Sequence, residues 1–549
     1  MKKMLSMLMA FLMLMSLTAC AEEQENGKQA EPSPTEKWED AVKIVLSDEE
    51  ILVDGSKVEK EPVSGVTVGG EIVYYHDKDS YESGNPYGEG TDEERHSEEE
   101  AEGHTLVTIT KPGTYLVSGT LSAGQLAVDL GEEAVNDPEA VVTLVLDNVD
   151  LTCTVAPALI FYNVYECGNT EEDSKGIVDT KAAGANVVLA DGSENVIKGS
   201  HVAKIYKDNG EAKKLAKFDG AFYSKRSMNI EGGDDDKAGK LTVIADNEGL
   251  DSELHLTING GKIVIQSQDD GINTNEDGFS VTTIHGGDIT IYGGLGAEGD
   301  GIDSNGYLTI NGGRLVAYGR SDTGDGGIDA DCAITINGGT VYAFGGRNDE
   351  ASNDSCQNTI QLTLEEEKAA QTTLSLQEEN GKAIMELTAE RSFQSVTLSS
   401  PELAQNVSYE LYVNGKKQRY SLQMEKIEGP GFGLEKPGQE IPERNGEEWI
   451  STPPDGFEDW LREEDSVPQE IRDWLWDVYD KAIGRERIPT PQPVPPETDV
   501  MGGMEPPKRE NEGEQTPMDQ RQNLSEGTEN PTEFFLAQTV SLFYGVTDA

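Results

Sequence analysis

From Ile230 to Phe344, apolar and polar residues alternate in short runs closed by glycine, asparagine or aspartate, and no run carries a helical period. The pattern recurs as Ile-x-Gly-Gly, with isoleucines at Ile230, Ile258, Ile284, Ile310 and Ile336. The first glycine of each pair follows the previous one by 28, 26, 26 and 26 residues. From Gly249 onward a Gly-[Ile/Leu]-x-[Ser/Thr/Ala] segment precedes the glycines, and an alternating segment such as Lys262-Ile263-Val264-Ile265 follows them. Three short strands per unit are therefore predicted. A strand of about 4 to 6 residues cannot bury its apolar face alone, but it can when equivalent strands of successive repeats stack. The expected architecture is all-β, a parallel β-helix.

Stacking sorts the repeats into columns whose members lie about 4.8 Å apart. One inward column reads Phe222, Leu250, Ile272, Ile302, Ile328, and another, two residues on, Ser224, Ser252, Thr274, Ser304, Ala330. A further inward set pairs Ile263 with Ile265, Ile289 with Ile291, Leu315 with Ala317, and Val341 with Ala343. Asn259, Asn311 and Asn337, with His285 and Glu231, read as a ladder closing the turns.

Outside the repeats, short alternating segments at 106–109, 115–118, 126–128, 141–146 and 186–189 read as earlier, less regular turns of the same solenoid. Residues 76–104 form a charged insertion without periodicity, and 204–217 a polar loop. From Thr359 to Val413 the pattern becomes that of antiparallel hairpins, marked by turns at Glu379-Asn380-Gly381 and Asn414-Gly415. The stretch 428–532 is rich in proline and glutamate, low in complexity and expected to be mostly disordered. It holds one helical island around 471–483 with Trp474 and Trp476, and Trp460 lies upstream. The final apolar run, within 533–549, is expected to return as a strand to the hairpin region.

Composition narrows the chemistry. The 549 residues include 60 glycines, and only 6% are aromatic, which suits a thin-cored solenoid. The formal charge of −60 argues against binding nucleic acid, or any polyanion unless a cation mediates. The N-terminus, MKKMLSMLMAFLMLMSLTAC, is similar to a bacterial lipoprotein signal, with Cys20 as the lipidated residue. That implies an extracytoplasmic protein anchored to the outer face of the cell membrane. Of the remaining cysteines, Cys153 reads as an inward packed thiol, and disulfides among Cys153, Cys167, Cys332 and Cys356 stay open.

Together, KPGTYLVSGTL at 111–121, LADGSEN at 189–195, the repeated LTINGG and DGI, and SSPEL at 399–403 resemble the carbohydrate-binding β-helix family of clostridial cell-surface lipoproteins. The resemblance spans about 42 to 413 plus the last strand and breaks at the insertion. It implies a right-handed, pectate-lyase-like β-helix that binds calcium and associates with cellulose- or pectin-like polysaccharides without established lyase activity. The expected organisation is a signal peptide (1–20), polar tether (21–41), β-helix carbohydrate-binding domain (42–355), antiparallel β cap (356–427), insertion (428–532) and returning strand (533–549). The chain is expected to be a monomer.

Beside the core column lie Tyr223, Asp251, Asn273, Asp303, Asp329 and, two residues further, Lys225, Glu253, Asn275, Asn305, Asp331. The preceding turn supplies Asp219, Glu248, Asp270, Asp300 and Asp325. Carboxylates stacked one repeat apart repel by about 1 kcal/mol per pair even at a water-like dielectric, and aspartate is normally depleted in strands. Hard oxygen donors at such spacing suit Ca²⁺. The expected metal ligands are Asp251, Asp269, Asp270, Asn273, Asp300, Asp303, Asp325 and Asp329. A second outward column, Tyr292, Tyr318 and Phe344, offers aromatic faces on which sugar rings could lie. Two function classes follow: non-catalytic, calcium-associated polysaccharide binding, and a calcium-dependent pectate-type lyase. The lyase needs a base near the metal, for which Lys225, Arg226 and Arg314 are the nearest candidates, but none sits in a recognisable catalytic motif.

Overall fold

The structure, a computed structural model, describes residues 37–77, 86–168, 176–207, 213–404, 407–423 and 539–543. The chain divides into two compact units, Met1–Glu428 with Glu533–Ala549, and Gly429–Thr532. The second unit lies outside the described residues, as do the signal segment with Cys20, most of the tether, the helix expected around 471–483 and the three tryptophans beside it. The described residues are nearly all β. Their helical content is one α-turn, Glu98–Glu102, and one 3-10 segment, Glu132–Asn136.

Three parallel ladders organise the described strands up to Gly345. The first runs through Thr105–Ile109, Gly124–Asp129, Leu159–Asn163, Gly220–Ser224, Glu248–Ser252, Ile272–Thr274, Ile302–Ser304 and Asp329–Ala330, each strand parallel to the next. The second continues from Ala185–Leu189 through Met228–Glu231, Leu256–Ile258, Val281–Ile284, Tyr307–Ile310 and Ala333–Ile336. A third follows Glu194–Gly199, Lys240–Ala245, Lys262–Ser267, Asp288–Tyr292, Arg314–Tyr318 and Thr340–Gly345. Val142–Thr152 serves both the second and third ladders, and its Asn148, at φ 60°, marks the passage between them.

Register along these ladders follows the repeat. Phe222 pairs with Leu250, Leu250 with Ile272 and Ile272 with Ile302, and all four side chains are fully buried. Each contributes about 1.5–3 kcal/mol on removal from water. The outward column pairs in the same register, Tyr223 with Asp251, Asn273, Asp303 and Asp329 in turn. Both glycines of the recurring pair have a steric reason. The second sits at positive φ throughout, 74° at Gly233, 112° at Gly261, 98° at Gly287, 79° at Gly313 and 86° at Gly339, a region that residues with a Cβ avoid. The first touches the backbone of the repeat before it: a Cβ on Gly312 would lie 2.4 Å from the His285 carbonyl oxygen, and one on Gly338 2.4 Å from that of Asn311. The polar ladder beside them forms in part, with Asn337 Nδ2 donating to Asn311 Oδ1 at 2.9 Å.

Parallel order ends at Thr340–Gly345, which pairs antiparallel with Phe393–Ser399. That strand pairs antiparallel with Thr359–Lys368, and Thr539–Phe543 adds in parallel beside the latter. A separate antiparallel sheet joins Thr373–Glu378, Ala383–Thr388, Ser408–Val413 and Lys416–Gln423. Its turn at Asn414 and Gly415 has two positive φ angles, 49° and 73°, as a two-residue hairpin requires.

Two expectations need correction. Residues 204–217 are not a loop: Val202–Lys207 and Lys213–Phe218 form an antiparallel hairpin, and Pro86–Gly88 pairs beside it. Its register turns Val202, Ala216 and Phe218 into the core while the lysines stay outside. The hairpin base is fixed by His201, whose two ring nitrogens lie 3.1 Å from Asp246 Oδ1 and 3.2 Å from Glu94 Oε1. The body also begins before residue 42, since Ala41 and Trp38 pack on Leu116, Val145 and Ala190. Cys153 is buried as expected, and the four described cysteines are free thiols.

Candidate metal centre

The first ladder brings Asp219, Glu248 and Asp251 together. All three are buried, and each offers a carboxylate oxygen such that the three oxygens lie within 4.8 Å of one another. Neighbouring amides fix the outer oxygens. Asn273 Nδ2 donates to Glu248 Oε1 at 3.0 Å, and Asn275 Nδ2 donates to Asp251 Oδ1 at 2.8 Å. Asn305 Nδ2 in turn holds Asn273 Oδ1 at 3.0 Å. Glu248 Oε2 and Asp251 Oδ2 are buried without a hydrogen-bond partner. The buried Asp219 Oδ2 meets only the ammonium of Lys217.

Such an arrangement is costly without a counter-ion. Two unit charges 4.8 Å apart repel by about 3 kcal/mol at an effective dielectric of about 20. Burial, reinforced by the neighbouring carboxylates, pushes the pKa values of Glu248 and Asp251 well above the usual carboxylate range. Orphaned buried oxygens converging from three chain positions match the donor set of a hard divalent cation, so the residues present fit Ca²⁺. Asp219, Glu248 and Asp251 would hold it, and it would supply charge neutralisation and open coordination positions for an oxygen ligand.

The eight expected ligands divide on this geometry. Asp251 belongs to the centre. Asn273 instead positions Glu248 through its amide, its carbonyl oxygen being engaged by Asn305. The other six form an acidic strip further along the same ladder, where three carboxylates hold backbone N–H groups of neighbouring turns. Asp270 Oδ1 accepts from Asp300 N at 2.6 Å, Asp300 Oδ1 from Gly326 N at 2.5 Å, and Asp325 Oδ2 from Gly299 N at 2.8 Å. Asp329 shares a hydrogen bond with Asp349. Burial raises every shifted member of the strip: Asp269 and Asp303 to about 6, Asp329 to about 7, Asp300 to about 9, and Asp270 well upward.

Asp219 and Glu248 were not among the expected ligands although both stood in the turn column. Glu248 pairs with Gly220 rather than with Asp219. Asp219 thus sits one position off the column, which lets its carboxylate share space with the next repeat. A repeat alignment at single-residue precision carries that signal.

The aromatic stripe is corrected by burial. Tyr292, Tyr318 and Phe344 stack face to face, with centroids 5.5 and 5.1 Å apart and planes within 6° and 14°. Phe393 closes edge-on against Phe344 at 5.0 Å, and Tyr318 and Phe344 are 1% and 0% exposed. Glu390 completes the cover: its backbone N–H donates to the Tyr318 hydroxyl oxygen, and its carboxylate accepts from Tyr292. A buried ring presents no face to a sugar, so Tyr318 and Phe344 are core, while Tyr292 is half-buried at the open end of the stack.

Beside the centre opens a cleft of about 230 Å³ lined by Lys214, Lys217, Glu253, Asn275, Glu276 and Asp277. Lys214 Nζ lies 3.5 Å from Glu253, which also accepts from the Tyr223 hydroxyl. Of the three candidate bases, Arg314 is on the surface with Asp288 at 3.1 Å, and Arg226 has a buried Nε without a partner. Lys225 lies 5.3 Å from the Phe218 ring and 5.8 Å from Tyr162, and burial holds its amine below the ordinary lysine range.

A family model for carbohydrate-binding domain-containing proteins matches residues 103–377, a span that contains the whole centre. The chain belongs to that family. A carbohydrate-binding domain-containing protein of Acetivibrio thermocellus is 34% identical over 162 residues, which is 29% of this chain and 45% of the relative. The chain therefore spans less than half the length of that relative. Among solved structures, the polysaccharide lyase-like protein from C. thermocellum, as a gadolinium derivative, aligns over 55% of this chain and 92% of its own, at 24% identity and a TM-score of 0.31.

Proposed function

We propose that this protein binds cellulose- or pectin-like polysaccharide without cleaving it, through calcium held at Asp219, Glu248 and Asp251, on a right-handed parallel β-helix. The observation that carries the reading is the group of buried carboxylates with unpartnered oxygens beside a polar cleft lined by two lysines, three carboxylates and Asn275. Membership of a carbohydrate-binding family supports a glycan as the partner. Calcium neutralises the centre and offers a uronate carboxylate a cationic partner beside Lys214 and Lys217, which stand among Glu253, Glu276 and Asp277. The acidic strip from Asp269 to Asp329 lies on the same face and extends the cation-attracting surface.

Binding to a polysaccharide array is expected in calcium and is lost in EDTA. Asp251→Asn should weaken both calcium and glycan binding by at least about tenfold, the scale of one lost charge-assisted ligand. Glycan binding that persists unchanged in EDTA and in Asp251→Asn would contradict the assignment.

Lys225 favours a second reading, a calcium-dependent lyase. An amine shifted toward its neutral form can remove the acidic C5 proton of a uronate. That reading predicts unsaturated uronate product from the wild-type protein, and its loss, with binding retained, in Lys225→Met. The binding reading predicts no such product from either.

Display at the outer membrane face through a lipid on Cys20 is part of the proposal, on the sequence pattern alone. Cys20→Ala should then release the protein into the medium, and membrane retention of that variant would refute the anchor.

A further inference from the structure

The Lys217 ammonium occupies the one inward oxygen of the centre that has any partner. Lys217 is the penultimate residue of the lysine-bearing hairpin strand Lys213–Phe218, two residues before Asp219. Its side chain is 38% exposed whereas that of Asp219 is 8% exposed, so the flexible stem reaches from the cleft to a buried oxygen. Glu248 and Asp251 also act on the ammonium, yet their inward oxygens make no hydrogen bond to it. A divalent cation drawing on all three carboxylates needs Asp219 Oδ2 and cannot share it with an ammonium at contact distance, because two positive charges would stand side by side in a buried site.

We propose that Lys217 is the resident counter-cation of this centre, and that calcium binding expels its ammonium from Asp219 into the cleft, where it meets an anionic sugar. The inference rests on the calcium reading above and goes beyond it. It adds to the direct calcium contact a second coupling of metal and glycan binding through one side chain, since whatever ligand favours the displaced lysine favours the metal equally. Lys217 lines the cleft with Lys214, Asn275 and the carboxylates of Glu253, Glu276 and Asp277, so the released ammonium needs no backbone movement to reach it.

The test is calcium titration calorimetry on the full chain, wild type against Lys217→Met, combined with lysine acetylation footprinting of the wild type. Lys217→Met should bind calcium about tenfold more tightly, and the acetylation rate at Lys217 should rise several-fold on adding calcium. Calcium should also tighten trigalacturonate binding in both proteins, but by severalfold more in the wild type than in Lys217→Met. Calcium binding by both proteins with equal affinity, or weaker binding by the variant, would overturn the inference while leaving the calcium reading intact. Binding by the variant alone would overturn the displacement, since calcium would then never expel the ammonium in the wild type. Failure of both to bind calcium would overturn the calcium reading and this inference with it. If Lys217→Met does not fold, the footprint decides: an unchanged Lys217 acetylation rate across the calcium transition of the wild type sinks the proposal.

Discussion

Saturating calcium is expected to raise the thermal unfolding midpoint of the full chain by about 3 °C over that in EDTA. A ligand that binds only the folded state at about 100 times its dissociation constant stabilises by about 2.7 kcal/mol, and a chain of this size shifts by about 1 °C per kcal/mol. The pH dependence has a definite sign. Glu248 and Asp251 have pKa values raised in the fold by burial, as do Asp303 at about 6, Asp329 at about 7 and Asp300 at about 9. The unfolded chain holds these groups at ordinary values, so at high pH the metal-free fold bears the cost of burying their charge. That cost is relieved as pH falls through the raised values toward the ordinary carboxylate range. In EDTA the midpoint should therefore rise from pH 8 to pH 5. In calcium the benefit of the metal should shrink over the same interval, because protons compete for its oxygens. Equal midpoints with and without calcium at pH 7, or a metal-free protein that loses stability on mild acidification, would falsify the assignment of the centre.

Tyr318→Ala should destabilise the protein by about 3–5 kcal/mol, the usual cost of deleting a large buried ring. The middle ring of a three-ring stack disappears, leaving a cavity between Tyr292 and Phe344 and an unpaired Glu390 backbone N–H. Tyr318→Phe keeps the stack and removes only the hydroxyl acceptor, for about 1 kcal/mol. Glycan affinity per folded molecule should stay within about twofold in both variants, since neither touches the cleft. Urea midpoints and binding measured on the same preparations separate the effects. A stable Tyr318→Ala with weakened glycan binding would restore the stripe as a sugar platform.

Both expectations mark where the chain's local pattern stops being informative. Strand alternation of period two, with a repeat near 26 residues, determined the three-ladder scaffold, because parallel stacking sets equivalent positions of successive repeats side by side. Phe222, Leu250, Ile272 and Ile302 could thus be placed in one buried column, and Tyr223, Asp251, Asn273, Asp303 and Asp329 in its outward neighbour. The paired glycines were likewise legible, since a positive φ and a touching backbone are demands that each repeat makes locally. Covering and convergence were decided elsewhere. Tyr318 and Phe344 are outward positions of their ladder, and they became core because residues 389–399, far along the chain, fold over them. Asp219 joined Glu248 and Asp251 through a one-residue offset between neighbouring strands, and Lys217 reached it through a hairpin that the polar sequence concealed. Periodicity reports what a residue shares with its repeat, whereas a site depends on which non-equivalent atoms meet, and only the folded chain brings those together.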